Sequence, residues 1–388
     1  MKIGFFTDSY RPYTSGVVRS IETFSEELQS MGHQVYIFAP QYKNYNKKEE
    51  GVFRFLSLPS PTNRDYSLPI PFSPTIRATI KKIDLDVIHV HSPFLLGRLG
   101  ARVAHQEKLP LVSTYHTLYD KYVHYLPFAQ SFSKKVVQKI ATDFSNTCDL
   151  VIVPTGVIGK LIRQAGVTVS IKIIPTGINI RDYAQGDPFW LKQTYNIPLQ
   201  DKVLLFVGRL GQEKNLDFLL QAFARVQKQI SNLTLVLVGS GPLETALKQT
   251  ACEMNLNHKI VFTGTLDYSS VVNCYLGADL FVFTSVTETQ GLVIGEAKAG
   301  GLPVVAVDAF GVKEMVEHGE SGFLTALDLE EFSSRITSLL LNDQLYRYMS
   351  EQARLHAEKI SSGACAQKLL KAYEEVISTY KKQLVAGY

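Results

Sequence analysis

Glu288 and Glu296 are separated by seven residues in the run Thr287-Glu288-Thr289-Gln290-Gly291-Leu292-Val293-Ile294-Gly295-Glu296-Ala297. Two carboxylates close in sequence suggest acid–base chemistry, one giving a proton and one taking it. Their placement points elsewhere. The run follows an apolar stretch, residues 279–285, that reads as a buried strand. It then enters residues 291–298, which read as a helix. One carboxylate therefore sits on the loop at the C-terminal end of a strand, and the other one or two turns into the next helix. Between them lies a helix start, whose amides lack intrahelical partners and favour an anion. A hydroxyl-rich ligand carrying phosphate uses all three parts. A sugar nucleotide is the first expectation, with the two carboxylates along one extended ligand instead of around one bond.

Other loops carry compatible chemistry. The strand read at residues 203–207 ends in Gly208-Arg209-Leu210-Gly211-Gln212-Glu213-Lys214-Asn215. Arg209 can fork across two oxygens of a diphosphate and Lys214 adds a point charge. Taken alone, both could equally cap the helix or pair with Glu213. Val238-Gly239-Ser240-Gly241-Pro242 and Thr263-Gly264-Thr265-Leu266 follow two further strands. Glycine allows close backbone approach there, at an edge where a base could lie. In the first half, Thr14-Ser15-Gly16-Val17-Val18 opens a helix with one glycine, so the Gly-x-Gly-x-x-Gly dinucleotide fingerprint is absent. Gly16 still sets backbone amides at a helix start. His116 follows a strand end, where such sheets bind ligands or where a histidine is simply a satisfied structural residue. His89 and His91 share one strand face, but a metal pair lacks a third ligand.

These residues need a scaffold, and the chain reads as strand then helix, repeated. Strands are predicted at residues 3–6, 35–39, 86–91, 111–114 and 150–153, and helices at 17–31 and 95–107. After an irregular stretch at 182–200 the alternation restarts, with strands at 203–207, 233–238, 260–262, 280–283 and 304–307. Helices are read at 216–229, 243–254 and along the tail from 328 to 382. Residues 58–74, with five prolines, read as a surface loop. This is an α/β chain of two Rossmann-like, doubly wound domains facing across a cleft. The expected limits are 1–181 and 182–365, with 366–388 a terminal helix packing back toward the N-terminal domain.

Composition agrees with a globular chain: 388 residues, 45% hydrophobic, 20% charged, mean hydropathy +0.02. No apolar run approaches the roughly 18–20 residues that span a bilayer. The N-terminus lacks a signal-peptide pattern, so a cytoplasmic setting is expected. Four scattered cysteines, with no Cys-x-x-Cys pair, form no disulfide or zinc pattern. Residues 1–180 hold 21 Lys and Arg against 13 Asp and Glu, while residues 181–388 hold 19 against 23. The basic half also interleaves Tyr115, Tyr119, Tyr122, Tyr125, Phe128 and Phe132 with Lys121, Lys134, Lys135 and Lys139. A second basic patch is Arg77, Lys81 and Lys82. These suit an anionic membrane surface, or equally a core face with a solvated opposite face.

With these motifs together, the chain resembles the retaining, sugar-nucleotide-dependent glycosyltransferases that carry the Glu-x7-Glu motif on a two-domain GT-B fold. The likeness runs nearly full length. It includes the Gly16 turn, Pro175-Thr176-Gly177-Ile178-Asn179, Gly208-Arg209 with Lys214, Gly239 to Pro242, Ala278-Asp279 and Gly301-Leu302-Pro303-Val304-Val305. Gln290 departs from a common Phe, and Gly300-Gly301 from Cys-Gly or Ser-Gly. The N-terminal half looks most like enzymes that glucosylate diacylglycerol, through Phe5-Phe6-Thr7-Asp8-Ser9-Tyr10, His91-Ser92-Pro93-Phe94 and Thr114-Tyr115-His116-Thr117.

The resemblance implies roles. The catalytic set would be His116, Arg209, Lys214 and Glu288. Arg209 and Lys214 would hold the diphosphate and stabilise the leaving group. Glu296 would meet the ribose hydroxyls and Glu288 the donor sugar, beside the amides of Gln290, Gly291 and Leu292. His116 would lie over the sugar. Gly16, Gly208, Gly239 and Leu266 would complete the donor site. The donor would be a nucleotide sugar, UDP-glucose the first choice, with no cofactor and no metal required. The acceptor would be a lipid or a saccharide, with contact to the inner face of an anionic membrane and no nucleic-acid partner. The competing readings are a phosphorylase or epimerase on the same architecture, and a non-catalytic sugar-nucleotide-binding protein.

Overall fold

The computed structural model of the chain describes residues 1–60, 66–118 and 134–386. Residues Met1–Gly177 with Ser362–Tyr388 form one compact unit, and Ile178–Ser361 form another.

The first unit opens with β1 (Lys2–Phe6), α1 (Gly16–Ser30), β2 (Gln34–Pro40) and β3 (Val52–Phe55). It continues through β4 (Ser57–Pro59), β5 (Ser67–Pro69), α2 (Ile76–Ile83), β6 (Val87–Val90), α3 (Leu95–Glu107) and β7 (Leu111–Thr114). Then come α4 (Lys134–Ser145), β8 (Leu150–Val153), α5 (Gly156–Gln164) and β9 (Ser170–Ile173). Seven strands make one parallel sheet in the order β3-β2-β1-β6-β7-β8-β9. The central strands β1, β6, β7 and β8 are almost wholly buried, as expected for a sheet covered by helices on both faces. In α1 the Ser15 hydroxyl caps the start by accepting from the Val18 amide at 3.2 Å. Val18, Ile21, Phe24 and Leu28 form its buried stripe. Full burial of Leu28 stabilises the unit by about 2 kcal/mol. The proline-rich stretch read as a loop contributes strand residues: β4 and β5 pair antiparallel. Pro59 and Pro69 stand at strand ends, where a missing N–H is tolerated.

The second unit holds α6 (Trp190–Thr194), β10 (Lys202–Val207), α7 (Leu216–Gln227), β11 (Leu233–Val238), α8 (Glu244–Glu253) and β12 (Ile260–Gly264). It continues with α9 (Tyr268–Gly277), β13 (Leu280–Phe283), α10 (Leu292–Ala299), β14 (Val304–Val307), β15 (Gly322–Thr325), α11 (Leu329–Leu341) and α12 (Asp343–Lys359). Its parallel sheet runs β12-β11-β10-β13-β14-β15. Every residue of β11 is buried.

The chain leaves the first unit at Gly177 and returns at Ser362. Both crossings lie side by side: Ile178 donates to the Ile360 carbonyl at 2.9 Å and bridges Ser361. The irregular stretch at 182–200 lies inside the second unit, where α6 packs on α9. The terminal helix (Ser362–Ala386) packs on α1 through Cys365, Ala366, Leu369, Ala372, Tyr373 and Val376. Ser362 donates to Glu27 at 2.5 Å, and Lys172 pairs with Glu375.

Candidate functional site

In the second sheet the strand order reverses between β10 and β13. Loops leaving the C-terminal ends of these strands diverge, which is where open α/β sheets hold ligands. The β10 loop carries Gly208, Arg209 and Lys214. The β13 loop carries Glu288 and leads through Gln290 into α10. The Lys214 ammonium donates to Glu288 Oε1, and the Ser285 hydroxyl donates to the same oxygen at 2.8 Å. The ammonium also lies 5.7 Å from the Phe283 ring centre. Lys214 thus pairs with Glu288 across the sheet edge. Burial pushes the Glu288 carboxyl up, but the Lys214 charge and the bonds from Lys214 and Ser285 outweigh it and hold it below the ordinary carboxylate range. Glu288 is an anion.

The two loops are tied to one another by side chains that donate to backbone carbonyls. Thr284 Oγ1 donates to the Lys214 carbonyl at 2.6 Å, and Asn215 Nδ2 to the Thr284 carbonyl at 3.1 Å. From the other side the Gly311 amide donates to the Glu288 carbonyl at 3.0 Å. A Cβ at Gly311 would stand 2.0 Å from the Thr289 carbonyl oxygen, so only glycine fits. Gly291, at φ +80°, makes the left-handed turn that starts α10 and offers no side-chain cap. Gln290 is buried at that turn, and Leu292 is the first helical residue.

Glu296 lies deeper in α10, 7% exposed, and accepts from the Tyr275 hydroxyl at 2.9 Å. Tyr275 is fully buried, and burial, then the Glu296 charge, push its phenol well up, so it stays a donor. Gly300 permits this: a Cβ there would stand 3.1 Å from the Tyr275 Cβ. Along the same edge, Gly208 donates to the Val238 carbonyl at 3.0 Å and Gly239 to the Gly264 carbonyl at 2.9 Å. Gly239 sits at φ +125°, and a Cβ would lie 2.1 Å from the Gly208 carbonyl oxygen. Leu266, half-buried, continues this row on the core. Arg209 is exposed on the rim.

The remaining predicted residues belong to the first unit. Its sheet reverses between β1 and β6. Asp8, beyond β1, accepts from the Ser92 hydroxyl and from the Leu96 amide at 2.7 Å. It thereby caps α3, whose own N-cap, Phe94, makes no side-chain bond. Gly16 is the first residue of α1 and exposed, and a Cβ there would meet nothing within 4 Å. His116, beyond β7, has Nε2 2.9 Å from His91 Nδ1. His89 bonds the Tyr373 hydroxyl at 2.6 Å and the Thr114 hydroxyl at 2.7 Å. Burial pushes all three imidazoles down, His116 to about 3, so they are neutral. His89 and His91 are engaged with these neighbours, and among the described residues no group of three His, Cys, Asp or Glu side chains is placed to hold a metal ion.

Of the aromatic and basic run, Tyr119, Lys121, Tyr122, Tyr125, Phe128 and Phe132 lie outside the described residues. α4 buries Val137, Ala141 and Phe144 and exposes Lys134, Lys135 and Lys139. Sequence reasoning missed Tyr275, Ser285, Asn215 and Gly311. No local pattern marks them; Tyr275, Asn215 and Gly311 matter through partners distant in sequence, and Ser285 also donates to the Glu213 carbonyl, 72 positions away, at 3.2 Å.

Residues 14–182 match the family Glycosyltransferase Family 4, and residues 191–356 match Glycosyl transferases group 1. The chain is 35% identical over 312 residues to an alpha-monoglucosyldiacylglycerol synthase of Streptococcus pneumoniae, covering 79% of this chain and 71% of that one. It is 30% identical over 403 residues to the enzyme of the same name from Acholeplasma laidlawii, covering 99% of both. Among solved structures, Anabaena Alr3699/HepE in complex with UDP and glucose superposes with a TM-score of 0.77 at 20% identity, over 97% of this chain and all of that one. That likeness concerns the fold. Two parallel-sheet units, a matching family on each, and close relatives along the whole length agree: the chain is a glycosyltransferase of the GT-B fold, with a family 4 domain followed by a group 1 domain.

Proposed function

We propose that the protein transfers glucose from UDP-glucose to diacylglycerol with retention of anomeric configuration. The observation that carries the donor assignment is the Lys214–Glu288 pair at the point where the second sheet reverses, beside a helix start and a second buried carboxylate. An ammonium and a carboxylate that neutralise each other suit a ligand bearing both charge and hydroxyls. With the donor bound, Lys214 and Arg209 engage the diphosphate, Glu288 accepts from sugar hydroxyls and Glu296 from the ribose. The acceptor assignment rests on the relatives named for monoglucosyldiacylglycerol synthesis, similar over 79% and 99% of this chain.

In the proposed step the acceptor oxygen bonds to the anomeric carbon from the face that the diphosphate leaves. The carbon–phosphate oxygen bond breaks, and the acceptor's proton passes to the departing diphosphate. Arg209 and Lys214 stabilise the charge that grows there, a contribution of about 3 kcal/mol for a well-placed donor. On this reading no metal is required. Leu56, Leu58 and Phe72 are exposed large apolar side chains in the segment before basic α2, with Arg77, Lys81 and Lys82. We assign this segment to contact with an anionic bilayer. Among the described residues no helix is long and apolar enough to cross a membrane.

The test is product analysis with labelled UDP-glucose. Diacylglycerol is offered in vesicles with and without anionic lipid, against saccharide and lipid-linked saccharide acceptors. α-Glucosyldiacylglycerol, formed faster on anionic vesicles and in the presence of a chelator, is the expected result. Label in a saccharide instead overturns the acceptor assignment. Absence of UDP release under every condition overturns catalysis and leaves a binding protein.

A further inference from the structure

His91 is 1% exposed and its ring is held on two sides. Phe5 meets it edge-on with centroids 4.8 Å apart, and the His89 ring lies 4.3 Å away, tilted by 31°. Its Nδ1 is 2.9 Å from His116 Nε2. Its other nitrogen, Nε2, is buried with no hydrogen-bond partner. A neutral imidazole carries one N–H and one lone pair, so two arrangements satisfy the bond to His116. A proton on His91 Nε2 strands a buried donor, at a cost of about 1–3 kcal/mol. Buried N–H groups without partners are rarer than under-used acceptors. A proton on Nδ1 uses the donor and leaves only a lone pair facing apolar surroundings.

We propose that His91 is a positioning residue that donates Nδ1–H to His116 Nε2 and so holds His116 in the tautomer with its proton on Nδ1. Neither nitrogen of His116 is then available as a base: Nε2 accepts from His91 and Nδ1 bears the proton. The acceptor's proton has to leave by another route, which agrees with its transfer to the diphosphate. The catalytic consequence rests on the reading of His116 as a residue at the transferred sugar; the tautomer does not.

The experiment is imidazole nitrogen–proton correlation NMR on the full chain labelled with nitrogen-15 in histidine, using His116→Gln to assign the resonances. Kinetics of His91→Phe and His91→Asn accompany it. His116 is expected to show a protonated Nδ1 and an unprotonated Nε2. In His91→Phe the tautomers mix and kcat falls on the order of 100-fold, with donor KM within about threefold. His91→Asn, whose amide donor stands near the lost Nδ1–H, recovers most of the rate. A wild-type His116 protonated on Nε2 overturns the proposal, as does an unchanged His116 spectrum in His91→Phe. Equal rate losses in both variants also overturn it. If the variants do not fold, the wild-type spectrum decides alone. The expected spectrum from a chain without transferase activity would support the tautomer while removing the proposed function.

Discussion

Glu288 and Glu296 share a side chain and differ in company. Glu288 meets a cation and a hydroxyl, so its charge is compensated until a ligand competes for Lys214. Glu296 accepts from a phenol inside α10's buried face, which aims it. Glu296 and Arg209 are expected to give two different kinetic signatures. Glu296→Ala is expected to raise the donor KM by about 10- to 100-fold with kcat within a few-fold, the mark of lost ground-state binding. Arg209→Ala is expected to lower kcat on the order of 100-fold with little change in KM, the mark of charge stabilised in the transition state. Steady-state kinetics with UDP-glucose checks both, and unchanged values in both variants would refute the site. The glutamates were legible in sequence because strand end, loop and helix start are local. Tyr275, 21 positions from Glu296, was not, because a tyrosine in an amphipathic helix looks like any core residue.

The loop between β13 and α10 is shaped by an element that follows β14. Gly311 lies in the 3₁₀ turn Phe310–Glu314 and holds the Glu288 carbonyl. Gly311→Ala would force its methyl into the Thr289 carbonyl oxygen, shifting the loop and with it the Glu288 carboxylate. Turnover is expected to fall at least about 10-fold, since a displacement near 1 Å costs up to about 100-fold. Stability should drop by about 1–3 kcal/mol. Urea unfolding and kinetics on the same preparation test this, and a fully active Gly311→Ala enzyme would show that the loop is set otherwise. Sheet position also explains what the pattern missed. The central strands read well as continuous apolar runs. β3, β9 and β15 are four-residue edge strands, paired on one side only, and so carry a weak signal.

Across the whole chain, the terminal helix returns to the unit where the chain began. Tyr373 reaches His89, 284 positions earlier, with a 2.6 Å bond between two buried groups. Tyr373→Phe keeps the ring and removes the hydroxyl, leaving His89 Nδ1 buried without its partner. The expected cost is about 1–3 kcal/mol, read as a lower urea midpoint with an unchanged slope. An unchanged midpoint would mean that the helix is seated by its apolar stripe alone. The alternation of strands and helices by itself determined two parallel-sheet units. The order of loop residues determined a donor-type site after β10 and β13, because backbone periodicity and helix-start chemistry act over a few residues. Only the tertiary structure decided that Lys214 pairs with Glu288, that Tyr275 aims Glu296, and that Gly311 pins the loop. Each of these is a contact between distant segments, and such contacts exist only once the sheets have brought their edges together.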